Sequence, residues 1–71
     1  MTVYTVIKER NVCDKKMELA KFGDIYYIKV RNNKSLIIWA RVYPTLRLAN
    51  AAWRKIYNCI NYGIDLEEGI E

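Results

Sequence analysis

Asp24 to Tyr43 reads DIYYIKVRNNKSLIIWARVY, and the fold turns on this stretch. Two runs rich in β-branched and aromatic residues flank Asn32-Asn33, the pattern of a β-hairpin. The second run, Leu36 to Ala40 (LIIWA), is apolar at every position. Successive side chains of a strand point to opposite faces, so this strand calls for cover on both sides.

Ile25, Tyr27, Lys29 and Arg31 alternate with Tyr26, Ile28 and Val30; Leu36, Ile38, Ala40 and Val42 alternate with Ile37, Trp39 and Arg41. A two-residue Asn32-Asn33 turn places Tyr26, Ile28 and Val30 beside Ile37 and Trp39, and Asn tolerates the positive φ such a turn needs. A three-residue loop through Lys34 shifts the register by one. It sets Tyr26, Ile28 and Val30 beside Leu36, Ile38 and Ala40, and gathers Lys29, Arg31 and Arg41 with Tyr27, Ile37 and Trp39. Turn chemistry favours the first register and charge segregation the second. In both, Ile37 and Trp39 face one way and Leu36, Ile38 and Ala40 the other.

Upstream, Thr2 to Lys8 (TVYTVIK) predicts a first strand, with Val3, Thr5 and Ile7 on one face and Tyr4 and Val6 on the other. The polar ERNVCDKK that follows has turn chemistry at Asn11 and Asp14. Lys16 to Phe22 (KMELAKF) is legal both as a strand and as a helical turn; its shortness and the Gly23-Asp24 stop favour the strand.

Downstream, Pro44 cannot donate to a ladder and ends the sheet. Thr45 is an N-cap, and Leu46 to Tyr62 predicts the helix. Leu46, Ala49, Ala52, Trp53, Ile56 and Ile60 form its apolar stripe; Arg47, Asn50, Arg54, Asn58 and Asn61 form its polar face. Gly63 suits the C′ position. The expected architecture is α+β: a three- or four-stranded antiparallel sheet with one C-terminal helix packed on one face. Residues 1–63 make a single small domain, and the acidic residues 64–71 are expected to be a loosely ordered tail.

Composition narrows the function. The 71 residues include no histidine, two cysteines and one serine, Ser35. Imidazole is the commonest general base and metal ligand. Without it, Cys–His and Ser–His–Asp constellations are excluded, and Cys13 with Cys59 cannot make a zinc site alone. The glycines are isolated, with no phosphate-cradling loop. The tail acids lack calcium-loop spacing. No catalytic, cofactor-binding or metal-binding residue is therefore assigned, and neither an enzyme nor a small-molecule substrate is expected. There is no apolar stretch of signal or membrane-spanning length, and the cysteines lack a disulfide framework. A cytoplasmic protein with reduced thiols is the expectation.

Charge and apolar pattern point to partners. Twelve Lys and Arg stand against eight Asp and Glu, and half of the acids lie in the last seven residues, so residues 1–64 carry a net +8. Lys29, Arg31, Arg41, Arg47 and Arg54 are candidate contacts for a polyanion, with aromatic residues interleaved on the hairpin as in single-strand binders. The doubly apolar strand argues for a protein partner or a homodimer, with Tyr27, Ile37 and Trp39 as its surface, because one helix covers one face. In size, strands-then-helix order and lack of catalytic groups, the chain resembles the small accessory proteins of phages and mobile elements, anti-CRISPR proteins among them. That resemblance implies a protein that binds, and inhibits by direct contact, a macromolecule of a bacterial host. The basic charge departs from the acidic, DNA-mimicking members.

Overall fold

The computed structural model describes residues 3–69, so Thr2 at the start of the predicted first strand and Ile70 and Glu71 of the acidic tail lie outside the described residues. Four strands form one antiparallel sheet in the order β1-β2-β3-β4: β1 Tyr4–Val12, β2 Lys15–Phe22, β3 Ile25–Arg31 and β4 Ile37–Tyr43. Helix α1, Leu46–Tyr62, packs across one face, and a short helix α2, Leu66–Gly69, follows it. The architecture is the α+β arrangement expected, with Lys15–Phe22 as a strand.

The first two connections are two-residue turns. Gly23-Asp24 joins β2 to β3, with Gly23 at φ 64°. Cys13-Asp14 joins β1 to β2, with Cys13 at φ 56°. Glu9 to Val12, expected in a turn, instead extend β1 by pairing with Lys15 to Glu18. Backbone pairing does not depend on side-chain polarity, and this half of an edge strand has one face toward solvent.

The β3–β4 loop adopts neither of the two closures expected. Asn32 donates its N–H to the Leu36 carbonyl (2.9 Å) and accepts from the Ser35 N–H (3.0 Å), which leaves Asn33, Lys34 and Ser35 as the loop. Ser35 takes the positive φ, 64°, expected of the third residue in such loops. The Asn32 side chain accepts from the amides of Lys34 and Leu36, locking the turn.

A bulge in β4 then changes the register. Arg31 pairs with Ile37, but Val30 pairs with Trp39, leaving Ile38 unmatched. The face set of one expected register holds at the hairpin tip and that of the other holds along the body. Tyr26, Ile28 and Val30 share a face with Trp39, while Ile37 lies with Arg31 on the opposite face. The expectation that Ile37 and Trp39 face the same way is therefore corrected: the extra residue between them reverses the alternation. A second bulge lies in β1, where Val6 pairs with Ala20 and Lys8 with Leu19. It sends Tyr4 and Val6 to one face and Lys8, Arg10 and Val12 to the other.

The covered face is closely packed. Met17, Leu19, Ile28, Val30 and Ile56 are fully buried, and Val12, Trp39, Ala49, Ala52 and Trp53 join them. Burying each large apolar side chain is worth roughly 1.5–3 kcal/mol, which is substantial for a domain this small. Thr45 caps α1 by accepting from the Leu48 N–H (3.2 Å). At the other end Gly63 is left-handed at φ 69°, its N–H donates to the Ile60 carbonyl (3.4 Å), and the Ile64 N–H donates to the Cys59 carbonyl (2.8 Å). These two bonds are those of a Schellman cap. The cap turns the chain so that Leu66 of α2 packs against the core edge. Gly69 lies so close to α1 that a Cβ there would collide with the Cys59 Sγ.

Candidate functional site

The face of the sheet away from α1 carries Tyr4 and Val6 from β1, Ala20 and Phe22 from β2, Ile25 and Tyr27 from β3, and Val42 from β4. The pairings Tyr4–Phe22, Phe22–Ile25, Val6–Ala20, Ala20–Tyr27 and Tyr27–Val42 bring them together. Among them Tyr4, Val6, Phe22 and Val42 are each between 42% and 49% exposed. Tyr4, Phe22, Ile25, Tyr27 and Lys29 line a shallow, almost wholly apolar depression at this end. The Tyr4 and Phe22 rings meet at 6.4 Å and 54°, a tilted geometry favourable for aromatic pairs.

Beside the apolar end lies a charged cluster. The Tyr4 hydroxyl donates to the Glu18 Oε2, and the Lys29 Nζ meets the same oxygen at 3.3 Å. The Lys29 ammonium also stands 4.6 Å from the Tyr4 ring centre and 5.5 Å from that of Tyr27. The Tyr4 hydrogen bond, joined by Lys29, holds the Glu18 carboxyl below its usual range. The same tyrosine and Glu18 hold Lys29 above its own. Desolvation first, then Glu18, push the Tyr4 phenol upward. Farther along the face, Lys16 and Glu9 pair at 2.7 Å. The acids here are neutralised within the chain, and Arg31, whose guanidinium donates to the Ser35 carbonyl (3.0 Å), marks the hairpin end.

The residues expected to form one partner surface are split. Tyr27 and Ile37 lie on the open face. Trp39 is only 5% exposed and belongs to the core beneath α1; it is corrected from surface to core, because the bulge at Ile38 turns it inward. Its indole N–H and the Tyr43 hydroxyl are buried without a partner among the described residues, and burial raises the Tyr43 phenol. The expected polyanion contacts also divide. Lys29 and Arg31 are on the open face, the former paired with Glu18. Arg41 is on the covered face, stacked 5.6 Å over Trp39 and 3.5 Å from Glu67 of α2. Arg47 and Arg54 are exposed on α1.

Sequence reasoning missed Phe22, Ile25 and Val42 as surface residues and Lys8 and Arg10 as companions of α1. The Gly23-Asp24 turn was a usable signal for the first two, since a two-residue turn makes its flanking residues direct cross-strand neighbours. Lys8 and Arg10 had no such signal, because their face depends on the β1 bulge.

No group of three or more His, Cys, Asp or Glu side chains among the described residues is placed to hold a metal ion. No helix among them is long and apolar enough to cross a membrane. The chain matches no family model, no curated protein and no solved structure.

Proposed function

We propose that the protein is a non-enzymatic interaction module of the small accessory kind, acting by occupying a macromolecular surface with the open face of its sheet. In isolation a second copy of the chain occupies that face. The observation that carries this reading is the apolar end built by Tyr4, Val6, Phe22, Ile25 and Val42, half-exposed on a sheet whose other face is fully packed. Contiguous exposed apolar groups mark interfaces.

Two features support a copy seated face on face. Both edge strands carry bulges, a device that discourages edge-to-edge pairing. The acids of the open face are already paired with Lys16 and Lys29. Two identical faces related by a two-fold axis through the apolar end therefore meet without opposing unpaired carboxylates.

The test is sedimentation equilibrium of the parent and of Phe22→Lys/Val42→Lys across a wide concentration range, with urea unfolding to verify that the variant is folded. A concentration-dependent dimer in the parent and a monomer in the folded variant support the reading. A parent that stays monomeric at high concentration overturns self-association through this face.

A further inference from the structure

We propose that the groove between β1 and α1, on the side of the molecule opposite the open face, binds the phosphate backbone of a nucleic acid. This site is independent of the self-association surface and shares no residue with it.

The groove is a product of the β1 bulge. Without it, Lys8 and Arg10 would continue the alternation of Tyr4 and Val6 and lie on the open face. With it, both reach α1. The Lys8 Nζ donates to the Asn50 Oδ1 (2.9 Å) and stands 4.8 Å over the Trp53 ring; the Arg10 guanidinium stands 4.7 Å over Tyr57. Two shallow depressions run along this flank and share Arg54. One is lined by Arg10, Trp53, Arg54, Tyr57 and Asn58, the other by Leu46, Arg47, Asn50, Ala51 and Arg54. No carboxylate among the described residues lines either.

The charge is segregated by sequence as well as by space. Helix α1 contains Arg47, Arg54 and Lys55 and no acidic residue. The ion pairs among the described residues engage Lys15, Lys16, Lys29 and Arg41, none of them in the groove. Lys8, Arg10, Arg47 and Arg54 thus form a strip of cations with no carboxylate partner among the described residues. Arg47 and Arg54 are two turns apart, about 10 Å along the helix axis. The aromatic rings beneath Lys8 and Arg10 hold those head groups in place, which lowers the ordering cost of binding.

The chemistry of the strip favours nucleic acid over an acidic protein. Protein interfaces are anchored by apolar or aromatic side chains that insert into a partner. Here the aromatic faces are already occupied by this chain's own cations, and the remaining lining is cationic or amide apart from Leu46 and Ala51. Interfaces with nucleic acid are polar and strongly positive. A phosphate backbone is a continuous line of charge that a row of Arg and Lys neutralises without side-chain complementarity, with Asn amides as additional donors.

The experiment is fluorescence anisotropy of labelled 20-nucleotide DNA, single-stranded and duplex, titrated with the full chain between about 50 and 200 mM salt. The groove variant is Arg10→Ser/Arg47→Ser/Arg54→Ser. A control of equal charge change is Arg31→Ser/Lys34→Ser/Lys55→Ser, which alters the hairpin and the other flank of α1. A rescue variant carries Lys at the three groove positions, and circular dichroism verifies that each variant is folded. The parent is expected to bind. The groove variant is expected to lose at least about tenfold in affinity and about 2.5–3 from its log–log salt slope on duplex, from three lost phosphate contacts. The control and the rescue variant are expected to stay within about threefold of the parent, since they leave those contacts charged. No binding by the parent at the lowest salt overturns the proposal. So does an equal loss in the control, which would mean net charge alone. Displacement of the oligonucleotide by polyglutamate at matched charge overturns it in favour of an acidic protein ligand.

Discussion

The two faces of the sheet are built from similar residues and end in different states. On the face under α1, Met17, Leu19, Ile28 and Val30 are wholly removed from solvent; on the other, Val6, Phe22 and Val42 retain nearly half of their exposure. The first face is held by dense packing against the α1 stripe. The second is held by cross-strand contacts and by the Tyr4–Glu18–Lys29 cluster, polar bonds that function beside water. Apolar character alone does not make a core; a second layer does. One helix of 17 residues supplies one layer, and the apolar groups of the open face stay partly exposed.

The two faces differ most at two residues of β4 separated by one position. Trp39→Ala removes a buried indole from the core and is expected to cost about 3–5 kcal/mol, enough to leave much of the chain unfolded. Ile37→Ala, on the open face, is expected to shift stability by no more than about 0.5 kcal/mol. Urea unfolding monitored by far-ultraviolet circular dichroism measures both. Similar costs for the two would mean that Ile37 and Trp39 share a face and that the β4 bulge is absent in solution.

A smaller effect probes the lid of the covered face. Gly63 has φ 69°, and an added Cβ meets none of the described residues within 4 Å, so Gly63→Ala isolates the cost of the left-handed backbone. The expected loss is about 1–2 kcal/mol, read from the urea midpoint. Retention of full stability would show that α1 ends without the Schellman cap.

A further small effect lies on the open face and depends on pH. The Glu18 carboxyl is depressed in the folded protein, so its contribution is present above the unfolded carboxyl pKa of about 4.3 and is lost as pH falls through the lower folded value. Between roughly pH 5 and pH 3 the parent is expected to lose stability that Glu18→Gln does not, by less than about 1 kcal/mol, the range of exposed ion pairs. Parallel stability–pH curves for the two proteins would remove the cluster as a support of the open face.

Much of this molecule was legible from local chemistry. Pro44, Thr45 and Gly63 bound the helix because each acts on the backbone within one turn of its own position. Gly23-Asp24 bound a hairpin for the same reason, and the 3.6-residue recurrence of Ala49, Ala52, Trp53 and Ile56 marked the buried stripe before any partner was known. The candidate surfaces were legible only in part. Arg47 and Arg54 lie on α1, as their positions implied, whereas Tyr27 and Ile37 share the open face as only one of the two expected registers had it. Trp39, grouped with Ile37, turned out to be core.

Residue identity and interactions a few positions apart were enough to mark four strands and α1, their order, the caps of α1 and the lack of histidine chemistry; they marked neither the second half of β1 nor α2. The tertiary structure alone decided which side chains meet. Two bulges, at Ile38 and between Val6 and Lys8, each insert one residue against a partner strand, and one residue reverses every later side chain. Such an insertion is favourable only when the rest of the fold rewards it. Turning Trp39 inward fills the core beneath α1. Turning Lys8 and Arg10 toward α1 places them over Trp53 and Tyr57. Those gains come from residues distant in the chain, so no local window of sequence contains them.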